Sequence, residues 1–208
     1  MKPHFHLCLL AVSLCAFLSC QKENEYPAPG YGVDLNFYGL ECSSIQVNGG
    51  KKLEGYMVDL TVKGNRFEAD PIIEQQVRAY YSNAPEAKAF QGGSTLQDVI
   101  YCDKVCEGIS ITASSEVLGR PAGEDLSDAF ILFYSNNPFL FDKNLQLIGV
   151  LEMLKTTTIQ DYLSCKARML PDMELYLNTS GASLPGIEFA VSVTLEGGQT
   201  MTASCTLP

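Results

Sequence analysis

The C-terminal stretch IEFAVSVTLEGGQTMTASCTL, residues 187–207, decides the fold. Apolar side chains occupy its odd positions on both sides of a Glu-Gly-Gly sequence, and the even positions are mostly polar. Side chains alternate between the two faces of a strand, so this pattern predicts strands with one buried face. The stretch therefore indicates a domain built from half-buried β-strands.

The Glu-Gly-Gly sequence also predicts how the two strands pair. Cross-strand partners share a face, and a three-residue loop at 196–198 pairs odd positions with odd positions. Such a loop also puts glycine at the left-handed position that a bulge requires. We therefore expect Val193 opposite Met201 and Phe189 opposite Cys205, with Cys205 facing the core.

Alternation of period two recurs along the chain and predicts roughly ten short strands. The segment AFILFY, residues 129–134, is continuously apolar, which predicts a central strand covered on both faces. The other predicted strands lie at 33–37, 56–62, 73–81, 109–113, 145–151 and 173–177.

One segment has a helical pattern. In TTIQDYLSCKARML, residues 157–170, apolar side chains recur at helical spacing, and Thr158 with Asp161 resembles a capping box. A short helix near 158–166 is therefore expected. Many strands with little helix predict an all-β, mainly antiparallel β-sandwich, with an immunoglobulin-like topology as the first expectation.

The first twenty residues have the features of an export signal. A start with one lysine is followed by the apolar run 7–18, which is too short to span a bilayer, and then by Ser19 and Cys20. This resembles a bacterial lipoprotein signal, in which the cysteine after the cut is acylated, although Phe17 and Leu18 depart from the usual pattern. The resemblance implies a signal peptide at 1–19 and a lipid such as palmitate on Cys20. The alternative is an ordinary signal peptide that leaves Cys20 free.

Residues 20–30 are rich in Pro, Gly and charge, which predicts a flexible tether before a single domain at 31–208. The sequence QKENE, residues 21–25, resembles the export signal of Bacteroidota surface lipoproteins. That resemblance implies a lipid-anchored protein on the outer face of the outer membrane. A periplasm-facing location is the alternative.

Net charge and histidine content exclude some classes of function. The first 19 residues hold one of the 14 basic and none of the 24 acidic side chains, so the chain from Cys20 onward has 13 and 24, a net charge of −11. An acidic surface repels phosphate backbones and argues against nucleic acid. Both histidines, His4 and His6, lie in the signal. The remaining chain therefore lacks the histidine that Ser-His-Asp and Cys-His hydrolases require.

The cysteines leave several states open. With Cys20 acylated, an odd number remains, so at most two disulfides form and one thiol is left over. The sequence CDKVC at 102–106 is one close pair, whereas a four-cysteine zinc site needs two such pairs. Free thiols or one or two structural bridges are expected, and no metal. The five remaining cysteines are Cys42, Cys102, Cys106, Cys165 and Cys205.

Two further groups of residues are candidate sites. Glu124, Asp125 and Asp128 lie in one loop and could bind calcium, but no EF-hand spacing is present, and capping of a helical turn is the simpler interpretation. Four tyrosines could line a sugar-binding face, although tyrosines at strand spacing more often lie in a core or at its rim. These four are Tyr80, Tyr81, Tyr101 and Tyr134.

The stretch 103–133, with MELYLNT and the terminal hairpin, resembles a family of uncharacterised lipoproteins of gut Bacteroidota. The resemblance implies a small surface or periplasmic β-domain and no reaction. We expect a non-enzymatic, lipid-anchored binding or structural module, without cofactor, whose partners are the membrane and a protein or glycan at the cell surface. The alternative is a glycan-capture accessory of a polysaccharide-uptake system. The turn pattern of the family matches at Ala122, Gly123, Leu126, Asp128 and Phe130.

Overall fold

The computed structural model describes residues 31–34, 40–48, 54–68, 70–83, 101–135, 139–151 and 157–208. Most of this chain is antiparallel β-structure arranged as a sandwich, which confirms the predicted fold class. Neither described α-helix is long and apolar enough to cross a membrane. The helices are α1 (Pro71–Asn83) and α2 (Ile159–Ser164), and a 3-10 turn spans Ser127–Ala129. In chain order the described strands are β1 (Tyr31–Asp34), β2 (Leu40–Asn48), β3 (Glu54–Val62), β4 (Asn65–Glu68), β5 (Tyr101–Cys102), β6 (Cys106–Ala113), β7 (Phe130–Tyr134), β8 (Phe139–Phe141), β9 (Leu147–Val150), β10 (Thr157–Thr158), β11 (Asp172–Asn178), β12 (Glu188–Leu195) and β13 (Gln199–Thr206).

Two sheets form the sandwich. The larger has the strand order β10-β7-β11-β3-β2, and the smaller has the order β13-β12-β6. Every neighbouring pair within these two sheets is antiparallel. A third sheet, β4-β1-β5, and the hairpin β8-β9 lie outside the two main sheets. The parallel β1–β5 pair is the exception to the antiparallel pattern.

The C-terminal hairpin has the predicted register. Val193 pairs with Met201, and Phe189 pairs with Cys205, whose side chain is buried. The three-residue loop 196–198 contains two glycines with positive φ of 85° and 78°, a backbone region that glycine adopts without steric cost. Both the pairing and the inward direction of Cys205 are therefore confirmed.

The core lies between the two sheets. The alternate side chains of β12 are fully buried against the larger sheet, and Phe189 packs edge-on against Phe130 with ring centroids 5.6 Å apart. This geometry is the favoured one for aromatic pairs, because the positive edge of one ring meets the negative face of the other. The four buried side chains of β12 are Phe189, Val191, Val193 and Leu195.

The predicted strand at 73–81 is wrong, because these residues lie in helix α1. Ile73 and Val77 are buried at a spacing of four residues, and Tyr80 follows three later, so one face of a helix is apolar. Ala79, which the strand interpretation placed inside, is exposed.

Signals for the start of α1 were present in the sequence. The Asp70 side chain accepts a hydrogen bond from the Ile72 backbone N–H at 2.9 Å, and Pro71 occupies the first helical position. An aspartate followed by proline is a common helix start, since the side chain satisfies a free N–H and proline has none to satisfy. When a short run of residues fits both the strand period and the helical period, such end signals decide which of the two structures forms.

The remaining predicted elements are confirmed in part. Helix α2 begins after a complete capping box formed by Thr158 and Asp161. Strand β7 forms as predicted, but its Phe133 is 36% exposed, so the strand is not covered on both faces. Strand β9 begins only at Leu147, because Leu145 has a φ of 62° in the preceding turn. Residues 35–37 of the first predicted strand lie outside the described residues.

A second, smaller apolar cluster joins α1 to β5, β8 and β9. Arg168 connects it to the sandwich. Its Nε and Nη2 donate to the carbonyl oxygens of Asp142 and Lys143 at 2.9 and 2.6 Å, and its Nη1 donates to those of Cys102 and Asp103. The guanidinium thus joins the β8–β9 turn to the end of β5. The buried members of the cluster are Ile73, Val77, Tyr101, Phe139 and Phe141.

Replacing Phe189 tests the interface between the sheets. Phe189→Ala should lower the free energy of unfolding by about 3–5 kcal/mol, because it removes a fully buried ring and leaves a cavity against Phe130. Thr202→Ala, on the exposed face of β13, should change it by less than about 0.5 kcal/mol. Urea unfolding of both variants measures the difference. Similar small effects would contradict this packing.

Candidate binding surface

The outer face of the larger sheet, which points away from the smaller sheet, carries a row of apolar side chains. The strand register aligns Ile45 with Met57, Met57 with Tyr176, and Tyr176 with Ile131. Phe133 lies two residues beyond Ile131 on the same face. We call these five side chains the outer apolar row. Solvent-facing sheet surfaces are usually polar, so this row requires an explanation.

Phe133 lies at an irregularity in the pairing of β7 with β11. Leu132 pairs with Leu175 and Tyr134 pairs with Glu174, so the intervening Phe133 has no residue directly opposite it on β11. Extra residues of this kind redirect a side chain. The Phe133 ring packs against the Tyr176 ring with centroids 6.1 Å apart and an interplanar angle of 51°.

Exposure differs along the row. Ile45 is 54% exposed and Phe133 is 36% exposed, whereas Met57 and Tyr176 are buried. The two accessible side chains therefore flank a packed centre. Such an arrangement offers an apolar contact area that needs little rearrangement to bind a partner.

The Tyr176 hydroxyl is buried and has no hydrogen-bond partner among the residues that the structure describes. An unsatisfied buried hydroxyl costs roughly 1–3 kcal/mol. Burial, together with the charge of Glu54, raises the pKa of Tyr176, so the hydroxyl stays protonated and remains a donor.

Two carboxylates lie beside the row. Asp59 and Glu174 are directly opposite each other on β3 and β11, and Ser43 pairs with Asp59 from β2. Partial burial raises the pKa of both carboxyls, and the charges of Asp59 and Asp172 add to the rise at Glu174. Like charges directly opposite are destabilising. A partner that donates hydrogen bonds would relieve this repulsion.

The acidic loop considered for calcium is held by protein groups instead. The Asp125 carboxylate accepts from the backbone N–H of Ile111 at 3.0 Å and from that of Ser127 at 3.1 Å. Asp128 forms a two-point ion pair with Arg120, with one N–O distance of 2.8 Å. Asp125 therefore ties the loop to β6, and Asp128 is paired with Arg120. In the described part of the chain, no group of three or more His, Cys, Asp or Glu side chains is placed to hold a metal ion.

Two of the four tyrosines considered for a sugar-binding face, Tyr80 and Tyr101, pack inside the protein. Tyr101 is buried, and its hydroxyl accepts from the Asp70 backbone N–H at 3.2 Å. Tyr80 packs edge-on against Phe139 with ring centroids 6.0 Å apart. Both rings therefore belong to the second apolar cluster. The side chains of Tyr81 and Tyr134 lie outside the described part.

The five described cysteines are all free thiols in this structure. Cys102 and Cys106 are deeply buried, and burial raises the pKa of Cys106 to about 12, so neither has the character of a reactive thiolate. Cys165 is exposed at the end of α2. Cys20, the predicted lipidation site, lies outside the described residues.

Sequence reasoning missed the outer apolar row. Tyr176 and Met57 alternate with core residues, so a period of two assigns them to solvent, and Phe133 was assigned to a covered strand. A count of apolar residues at the supposed solvent positions of β3, β7 and β11 would have identified the row. Only the strand order shows that these positions are neighbours.

Comparison with known proteins does not assign the chain to a family. No protein-family model matches the sequence, and no curated protein matches it either.

The carboxylate pair predicts a pH dependence. The folded pKa of Glu174 is raised above its ordinary value of 4.5, so this group contributes stability below pH 4.5 that is lost as pH rises through the folded pKa. Relative to wild type, Glu174→Gln should therefore gain stability as pH rises from 4 to 7. Unfolding free energies at several pH values measure the difference.

Asp161→Asn is the control for Glu174→Gln, because the pKa of Asp161 is shifted in the opposite direction. Hydrogen bonds from the Thr158 hydroxyl and backbone lower the pKa of Asp161 below 3.8. Its contribution is therefore present above pH 3.8 and is lost as pH falls, so this variant should be less stable than wild type near neutrality. If Glu174→Gln behaved in the same way, the carboxylate pair would not be destabilising.

Proposed function

We propose that this protein is a non-enzymatic, lipid-anchored module that binds a partner through the outer apolar row. The observation that carries the proposal is an apolar row with two accessible ends on a sheet face that the core does not use. Exposed apolar side chains bordered by polar groups are typical of interaction sites. The adjacent carboxylates supply hydrogen-bond acceptors that would orient the partner.

The anchor is assigned to Cys20. The support is the sequence itself, because a short apolar run ends in Ser19 and Cys20 and is followed by a Pro- and Gly-rich tether. Together with the resemblance to lipoproteins of gut Bacteroidota, this supports a proposed location at the outer membrane, facing the cell exterior. A tether at 20–30 would let the domain reach partners away from the membrane.

The second candidate function is glycan capture, in which the partner that binds the outer apolar row is a glycan. Phe133 offers an accessible aromatic ring, which packs against the buried Tyr176, and Asp59 and Glu174 lie on the same face of the sheet. Sugars combine apolar C–H faces with hydroxyl donors, so they match an aromatic surface bordered by carboxylates.

The anchor is tested by replacing Cys20. Cys20→Ala should move the protein from the detergent phase to the aqueous phase and abolish labelling by a fatty-acid analogue, because the acylated thiol is gone. Cys165→Ala, which removes an exposed cysteine elsewhere, should leave both unchanged. Continued membrane partitioning of Cys20→Ala would refute lipidation, and protease treatment of intact cells would test surface exposure.

Glycan binding is tested on an array of bacterial, host and dietary polysaccharides. Phe133→Ala should weaken binding roughly 5-fold or more, since truncating an aromatic side chain that anchors a ligand costs on the order of 1 kcal/mol or more. Ile148→Ala, which removes a comparably exposed apolar side chain from β9, should bind as wild type does.

Two outcomes of the array would contradict the proposal. Absence of binding to every glycan would exclude the glycan candidate. Hydrolysis of a polysaccharide that is abolished by Glu174→Gln would show that the carboxylates are catalytic and would overturn the non-enzymatic assignment.

A further inference from the structure

Two strands from different sheets meet at one edge of the sandwich. Strand β2 ends the order of the larger sheet, and β13 ends that of the smaller sheet. The Ser44 hydroxyl of β2 donates to the Thr206 carbonyl oxygen of β13 at 2.8 Å. In the described chain the two strands share no ladder, so side-chain contacts hold this edge.

One cysteine from each strand points into the interior at this edge. Cys42 pairs with Leu60, which is buried in the core, so both side chains lie on the inner face of the larger sheet. Cys205 pairs with Phe189 and lies on the inner face of the smaller sheet. Cys42 packs against the cluster that contains Cys205.

The thiols of Cys42 and Cys205 lie close enough to interact with each other, and the Ser44 hydroxyl lies near Cys205. The hydrogen bond between the two thiols raises the pKa of Cys42 and lowers that of Cys205. The lower pKa makes Cys205 the better source of the thiolate that disulfide exchange requires.

We propose that Cys42 and Cys205 form a disulfide that closes this edge of the sandwich. A disulfide-containing oxidant, such as oxidised glutathione, first forms a mixed disulfide with one cysteine and releases one thiol. The thiolate of the other cysteine then attacks the protein sulfur and releases the second thiol. Two protein thiols are thereby oxidised to one S–S bond, and the oxidant's disulfide is reduced to two thiols.

The other described cysteines do not fit this role. Cys102 and Cys106 are buried in the core, where Cys106 contacts the Tyr162 hydroxyl and the Gly108 carbonyl. Cys165 is exposed, and its sulfur contacts the Asp161 carbonyl oxygen at 3.3 Å. The bridge would therefore use one pair and leave three of these five thiols free.

The bridge would connect the first strand of the larger sheet to the last strand of the chain. Its two cysteines are 163 positions apart, and cross-links between distant residues restrict the unfolded chain most. It is the expected state in an oxidising compartment, and the thiol pair is the expected state in a reducing one.

Peptide mapping tests the bridge without ambiguity. Trypsin should release Cys42 in residues 23–51 and Cys205 in residues 169–208, and each of these peptides contains one cysteine. The purified protein is refolded from its reduced, denatured state in oxidised and reduced glutathione, and then alkylated in denaturant. We expect the two peptides to be joined and to separate on reduction. Recovery of both as alkylated free thiols, or of either joined to another cysteine peptide, would overturn the proposal.

Thermal unfolding gives a second measurement. The oxidised protein should unfold roughly 5–15 °C above the reduced protein. Cys42→Ser, at a half-buried position, should lose both the joined peptide and this oxidation-dependent shift. Cys165→Ser, the control, should keep both. An equal shift in Cys42→Ser and wild type would assign the stabilisation to another bond and contradict the proposal.

Discussion

The burial of one face of β12 between two sheets is the constraint on which the structure depends. Phe189 is fully buried and meets Phe130 from the opposite sheet edge-on, so the contact joins the smaller sheet to the larger one. Since apolar burial is the main favourable term in folding, the sandwich exists because this face is filled.

A second constraint connects the sandwich to the smaller apolar cluster. Arg168 donates to carbonyl oxygens of separate segments, and the Tyr162 hydroxyl donates to the Arg168 carbonyl at 3.0 Å while accepting from the Leu170 N–H at 3.2 Å. Both side chains satisfy backbone groups that would otherwise be buried without partners. With the inner face and the cluster occupied in this way, the outer apolar row remains as the apolar surface on which the proposed function rests.

The local sequence pattern predicted those strands and helices in which the apolar residues follow one period only. The terminal hairpin and α2 are such elements, because eight alternating positions or a capping box leave no competing structure. Helix α1 is not predicted by the apolar pattern, because Ile73 and Val77 fit a period of two as well as a helical one. The helix start formed by Asp70 and Pro71 favours the helix. The exposure of Phe133 was missed because a bulge in strand pairing is not visible in a single strand.

The sequence by itself determined the strand alternation and the hairpin register, since each depends on residues close together in the chain. Tertiary structure alone decided which side chains from distant strands are neighbours. The contact between Cys42 and Cys205, the alignment of Ile45 with Tyr176 through Met57, and the opposition of two carboxylates all follow from strand order. Strand order is set by the packing of whole sheets, which no local pattern encodes.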